Sequence, residues 1–202
     1  MSEHFYRPSE GHRLPHDPFN AIVGPRPIGW IGTLSADGRR NLAPYSFFNA
    51  FNYTPPIVGF SSITPKHSVS NLQQTQEFTW NLVTRDLAEA MNATSTGEDV
   101  DEFERAGLEA APSVEVAAPR VAASPVSFEC RVSTVLNLTD SHGTPTDAWL
   151  TLGEVVGIHI DDALLVDGVY DTAAAHPVLR AGGPTTYFGI SNDQRFDLRR
   201  PR

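Results

Sequence analysis

The chain is poor in sulfur and in positive charge: its 202 residues include one cysteine, Cys130, two methionines and one lysine, Lys66. A single thiol cannot form an internal disulfide, and one flanked by apolar residues is ordinarily core filler rather than a nucleophile. Lysine and arginine number 15 against 24 acidic residues, a formal charge of −9. That balance argues against a nucleic-acid surface, which needs a basic face. Nowhere do about 18 apolar residues run together, so no membrane-spanning helix is expected. The opening Met1–Pro8 lacks the basic region and apolar run of a secretion signal. Small molecules are therefore the expected partners and the cytoplasm the expected compartment. What remains is an ordinary globular composition, 40% hydrophobic and 19% charged, in a length that suits one domain.

The period of the apolar residues changes along the chain. Ile28–Leu34 and Asn41–Phe51 read as two strands joined by the Ala36-Asp37-Gly38 turn, with Pro44 marking an edge or a bulge. Ile57–Phe60 reads as a buried strand, His67–Gln76 as a short helix with Val69 and Leu72 at helical spacing, and Glu77–Val83 as another strand. Residues 85–107 look helical through Leu87, Ala90, Met91 and Ala93. The alanine- and proline-rich segment 110–125 looks irregular. Val126, Phe128, Cys130 and Val132 then alternate with Ser127, Glu129, Arg131 and Ser133, the mark of a half-buried strand. Trp149–Ile160 gives a last long strand, with Gly153 and Gly157 at bulges or close approaches. Strands at short spacing favour an antiparallel barrel or sandwich.

The segment Ser61-Ser62-Ile63-Thr64-Pro65-Lys66-His67-Ser68 joins a strand end to a helix start. Backbone N–H groups, the helix dipole, several hydroxyls and the lone ammonium converge there, the equipment of an anion site. On these residues alone an ordinary capped helix start, with Thr64 or Ser68 as N-cap and Pro65 in the first turn, explains the pattern as simply. His159-Ile160-Asp161-Asp162 reads as a strand end followed by an acidic turn. His12 and His16 lack a third metal ligand, so no metal is expected.

The order of motifs resembles the FMN-binding flavin-reductase-like family, which includes flavoredoxins and the reductase partners of flavin monooxygenases. The resemblance rests on Pro25-Arg26-Pro27-Ile28, Asn41-Leu42-Ala43-Pro44-Tyr45-Ser46-Phe47-Phe48-Asn49 and Pro55-Pro56-Ile57-Val58-Gly59-Phe60-Ser61. It continues through Lys66-His67-Ser68, Asn81-Leu82-Val83, Ala90-Met91-Asn92-Ala93-Thr94-Ser95 and Gly153-Glu154-Val155. It implies one domain over residues 1–202: a mainly β, six-stranded antiparallel split barrel with short helices and a helical insertion at about 85–110. It also implies a homodimer holding FMN noncovalently. Ser61, Lys66 and Ser68 match the family's phosphate site, with Arg26 or Arg180 as the next cations to consider. Asn41, Tyr45, Ser46 and Phe47 lie on the ring-binding strand, and Asn81, Asn92 and Ser95 match further groove positions. The implied function is an oxidoreductase that takes hydride from NADH or NADPH and passes electrons to a second acceptor, such as a monooxygenase or another electron-accepting protein. The alternative is a non-enzymatic electron carrier. Many members carry a histidine about five residues before the late Gly-Glu, thought to help seat the nicotinamide; Ala148 stands there in this chain, and His142 is the upstream histidine that would substitute.

Overall fold

The computed structural model describes residues 2–201. In chain order its elements are α1 (Phe19–Ile22), β1 (Arg26–Pro27), β2 (Gly29–Leu34), β3 (Arg40–Tyr45), β4 (Phe48–Tyr53), β5 (Pro56–Ile63), α2 (His67–Thr75) and β6 (Glu77–Asn81). There follow α3 (Ala88–Ala93), α4 (Glu102–Arg105), β7 (Ala110–Ala111), β8 (Arg120–Val121) and the long hairpin of β9 (Val126–Thr139) with β10 (Pro145–Ile160). Four short strands close the chain: β11 (Leu165–Val166), β12 (Val169–Tyr170), β13 (Val178–Arg180) and β14 (Tyr187–Gly189).

The main sheet is antiparallel, in the order β3-β2-β6-β9-β10-β5-β4. Its two end strands, β3 and β4, are consecutive in the chain, separated only by Ser46 and Phe47. The backbone turns a corner at these residues, so the two ends of the sheet are joined through the chain itself; the Ser61 N–H donates to the Phe47 carbonyl at 2.9 Å, extending the β4–β5 pairing into the corner. The expected single strand over Asn41–Phe51 is thus one bent strand that pairs with β2 before the corner and with β5 after it. Counted along the chain the split barrel has six strands; counted by hydrogen bonding it has seven.

Ile31, Phe60, Leu72, Phe78, Trp80 and Cys130 fill the barrel interior. The lone thiol is buried there, and burial pushes its pKa well up, so Cys130 is core filler, as its neighbours in sequence predict. Gly153 sits at a register shift of β10, where a Cβ would collide with the Phe78 ring. A second apolar layer, with Trp30, Leu42, Met91, Phe103 and Val121, packs the opposite faces of β2 and β3 under α3 and α4.

Two expectations need correction. The segment 85–107 is helical only over α3 and α4, which are separated by the stretch Thr94–Asp101. Thr94-Ser95-Thr96-Gly97 has poor helix propensity, and Asp101 starts a new helix by accepting from the N–H groups of Phe103 and Glu104. The outer face of β9 is likewise only partly solvated: Ser127 and Glu129 are fully buried, while Arg131 and Ser133 are exposed. Residues 113–121 lie over it, tied to the barrel by hydrogen bonds from Val114, Glu115 and Val116 N–H to Glu129 and from Val121 N–H to Asn81.

Candidate functional site

The helix start after β5 is not a capped one. Lys66 occupies the N-cap position with φ −69° and ψ 178°, and no side chain caps the helix. Thr64, expected as one cap, lies in the left-handed region at φ 68°, and its carbonyl accepts from the Lys66 N–H and the Ser62 hydroxyl, each at 2.9 Å. Ser68, the other, turns inward: its Oγ is buried and accepts from Asn41 Nδ2 at 2.9 Å. The first N–H groups of α2 therefore keep their donor capacity, and the positive end of the helix dipole faces outward. Lys66 is exposed and forms no ion pair among the described residues.

Directly behind this cradle lies a buried polar atom with no partner. Tyr45 is packed against Phe60 with ring centroids 4.5 Å apart. Its hydroxyl faces Ser68 and Ser62 without closing a hydrogen bond to either, and burial pushes its pKa up. Unpaired buried groups are uncommon in native proteins and mark places where something else binds or strain is held. Uncapped N–H donors, a free ammonium and an orphaned hydroxyl together fit a phosphate monoester dianion.

Beyond Tyr45 the strand reaches its corner. The Ser46 carbonyl accepts from Arg26 Nε at 2.8 Å, and the Arg26 guanidinium lies 5.3 Å from the centre of the Phe47 ring. Phe48 turns inward and stacks on Trp80, with centroids 5.5 Å apart and planes 3° from parallel. Next to the corner a cavity of about 140 Å³ is lined by Tyr45, Ser46, Asn92, Ser95, Arg180 and Tyr187, among others. That volume is below the several hundred Å³ of a site that encloses a whole ligand, so this cavity can hold only part of one.

The structure thus gathers nine of the ten residues singled out by sequence around one bent strand. Asn41, Ser61, Lys66 and Ser68 lie at the α2 end, Ser46, Asn92 and Ser95 at the corner, and Tyr45 and Phe47 between the two. Asn81 stands apart from them. It is fully buried, its Nδ2 donates to the Trp30 carbonyl and its Oδ1 accepts from Val121 N–H and Ser127 Oγ, so its side chain braces the strap over β9.

Sequence reasoning passed over Glu102. Its carboxylate is buried, accepts from the Leu42 N–H at 3.1 Å on the open edge of β3, and is pushed toward higher pKa by burial. The apolar Phe103 beside it, between Glu102 and Glu104, was the available signal. A second cleft of about 540 Å³ was also unforeseen; Arg40, Asn41, His67 and Asp101 are among its lining residues. Ala148, at the position of the missing histidine, lies opposite Ile63 where β10 meets the end of β5. His142 sits in the turn joining β9 to β10, its N–H on the Asp140 carboxylate.

A barrel closed by a bent strand, with an anion cradle on one side of the bend and a small cavity on the other, defines a split-barrel ligand-binding protein. Comparison with known proteins specifies the class. Residues 24–177 match the flavin reductase like domain model, and the chain belongs to that family. A curated relative from Aquifex aeolicus, described only as uncharacterized, is 37% identical over 172 residues, covering 80% of this chain and 83% of the relative. Among solved structures, nitrilotriacetate monooxygenase component B from Bacillus cereus superposes with a TM-score of 0.87 at 23% identity, over 98% of this chain and all of that one. A 2-nitrobenzoate 2-nitroreductase from Pseudomonas fluorescens gives 0.78 at 26% identity, over 91% and 88% of the two chains.

Proposed function

We propose that the protein binds FMN noncovalently along the bent strand and works as a flavin-dependent oxidoreductase, accepting hydride from NADH or NADPH and passing electrons to a second acceptor. Bound FMN would supply the hydride and electron transfer at its N5, while the protein positions it and shapes its electrostatics. On this reading the phosphate lies against the N–H groups at the start of α2, with Lys66 as its charged partner. Ser46, Phe47 and the backbone of the corner line the ring. The observation that carries the proposal is the uncapped start of α2, with Lys66 unpaired among the described residues at its N-cap and the orphaned Tyr45 hydroxyl facing Ser62 and Ser68. The small volume on the far side of the corner suits a groove that a second subunit completes, and we take the working unit to be a homodimer. A monooxygenase is one class of partner that such a reductase would feed.

Ala148 favours a second reading, in which the protein carries electrons without using nicotinamides, because no imidazole stands where the family commonly places one. The deciding experiment is the absorption spectrum of the purified protein reconstituted with FMN, followed by anaerobic addition of each nicotinamide. Rapid bleaching supports the oxidoreductase, bound flavin that stays oxidised supports the carrier, and a protein that cannot be loaded with FMN overturns both.

A further inference from the structure

Arg26 is an unusual cation. It is 8% exposed, and among the described residues no carboxylate lies within salt-bridge distance of it. Its guanidinium is held by main-chain oxygens alone: Nε donates to Ser46, the terminal nitrogens to Asn20, Val23 and Ala181. Arg180 is held in the same way, by the carbonyls of Ala181, Gly183, Pro184 and Thr186, and likewise has no acidic partner among the described residues. The two are close enough that the charge of Arg180 depresses the pKa of Arg26, after burial itself. A protein of net charge −9 with 24 acidic residues thus keeps two neighbouring cations free of any of them.

Both cations face the corner. Arg26 grips the Ser46 carbonyl and lies 5.3 Å from the centre of the Phe47 ring, and Arg180 lines the small cavity together with Tyr45 and Ser46. Their N–H groups are largely engaged by carbonyls, so what they offer a ligand is their field rather than new hydrogen bonds. Burying a charge without a counter-ion is costly. A fixed charge in a partly dry site is most effective toward a group that becomes negative there, because no reorganisation is needed when the charge appears.

We infer that Arg26 and Arg180 form an uncompensated cation pair that stabilises the negative charge gained by the flavin ring on reduction, and so raises its reduction potential. The inference rests on the proposed placement of FMN at the corner. The charge balance is simple: transfer of a hydride brings two electrons and one proton, and the ring is left with one added negative charge. Arg26 is in addition a positioning residue, since it fixes the carbonyl of Ser46.

The test is the midpoint potential of the FMN-loaded protein, measured with Arg26→Lys, Arg26→Gln and Arg180→Gln beside the wild type. Arg120→Gln, a change at a half-buried arginine on the strap whose guanidinium donates to the Pro112 carbonyl, is the control. Each loss of charge at the corner is expected to lower the affinity for reduced relative to oxidised FMN by about tenfold, which for a two-electron couple is about 30 mV toward more negative potential. Arg26→Lys, which keeps the charge, stays near the wild type, as does Arg120→Gln. If Arg26→Gln does not fold, Arg180→Gln and Arg26→Lys decide the matter alone. Wild-type potential in Arg180→Gln, or an equal shift in Arg26→Lys and Arg26→Gln, overturns the inference. Failure of the wild type to bind FMN at all instead overturns the functional proposal beneath it.

Discussion

Asn41 Nδ2 lies 2.9 Å from Ser68 Oγ, so one buried hydrogen bond fastens the strand before the corner to the first turn of α2. Ser68→Ala would leave the Asn41 amide without that acceptor, at a cost of about 1–3 kcal/mol in folding stability. Asn41→Ala should cost a similar amount, and the double variant clearly less than the sum, because both changes remove the same bond. Urea unfolding of the four proteins checks this; strictly additive losses would mean that the bond carries no coupling.

Lys66→Ala separates the cradle from a plain helix start, since Lys66 caps nothing with its side chain. Loss of one charge-assisted bond to a dianion is worth about 1.5–3 kcal/mol, so FMN affinity should fall by roughly one to two orders of magnitude. Riboflavin, which has no phosphate, should bind as it does to the wild type, and the melting temperature should hardly move. Equal losses for the two flavins would place the phosphate elsewhere.

Phe47 is half-buried beneath the Arg26 guanidinium at the corner. Phe47→Ala is expected to weaken both FMN and riboflavin by about 1–2 kcal/mol through lost ring contact, without the discrimination between them expected of Lys66→Ala. Titration by flavin fluorescence quenching measures it, and unchanged affinity for both would move the ring away from this strand.

Much of this was legible in the sequence where a single period governs a whole element. The alternation from Val126 to Ser133 gave β9, and the stripe of Val69 and Leu72 gave α2. The corner was not legible, because apolar residues recur at Phe47, Phe48, Ala50 and Phe51 while the hydrogen-bonding partner changes beneath them. The helical reading begun at Leu87, Ala90 and Met91 was overextended for a different reason: helix formers return at Glu102–Arg105, and the poor formers Thr94-Ser95-Thr96-Gly97 between them were passed over. The bracing bonds of Asn81 were not legible, because the strap that satisfies its amide lies about 40 residues on in the chain. Glu129 escaped notice because alternation sends it outward, and only the segment over β9, 13 to 15 residues earlier in the chain, makes that face an interior.

The two buried glutamates should respond to pH in opposite senses. Burial acts to raise the pKa of Glu129, but hydrogen bonds from His159, at 2.5 Å, and from the N–H groups of Val114, Glu115 and Val116 outweigh it and hold the carboxyl below its ordinary value. Its stabilising contribution is therefore present above its unfolded pKa and lost as the pH falls through the folded one. Glu102 is raised chiefly by burial, against the Leu42 N–H, so its ionisation opposes folding as the pH rises through the carboxylate range. Melting curves at neutral pH should show Glu129→Gln less stable than the wild type and Glu102→Gln more stable, with both differences shrinking in acid. The same sign for both variants would contradict the assignment.

The last prediction concerns assembly. Strand β4 pairs only with β5, and its outer edge is free among the described residues. Along this part of the sheet Phe51, Tyr53 and Ile63 are 55%, 93% and 63% exposed. An apolar edge strand left open is a template for unwanted pairing, and natural proteins cover such edges. Coverage by a second copy also suits the corner, whose cavity is too small to enclose a ligand within one subunit. Sedimentation of the wild type at micromolar concentration should therefore report a dimer, with an interface in the usual range of about 1,200–2,000 Å². Phe51→Asp combined with Tyr53→Asp should shift it toward monomer and weaken FMN binding in step, while circular dichroism shows the barrel intact. A wild-type protein that sediments as a strict monomer with FMN bound would mean that one subunit closes the site unaided. The exposed face of β4 would then need a different occupant.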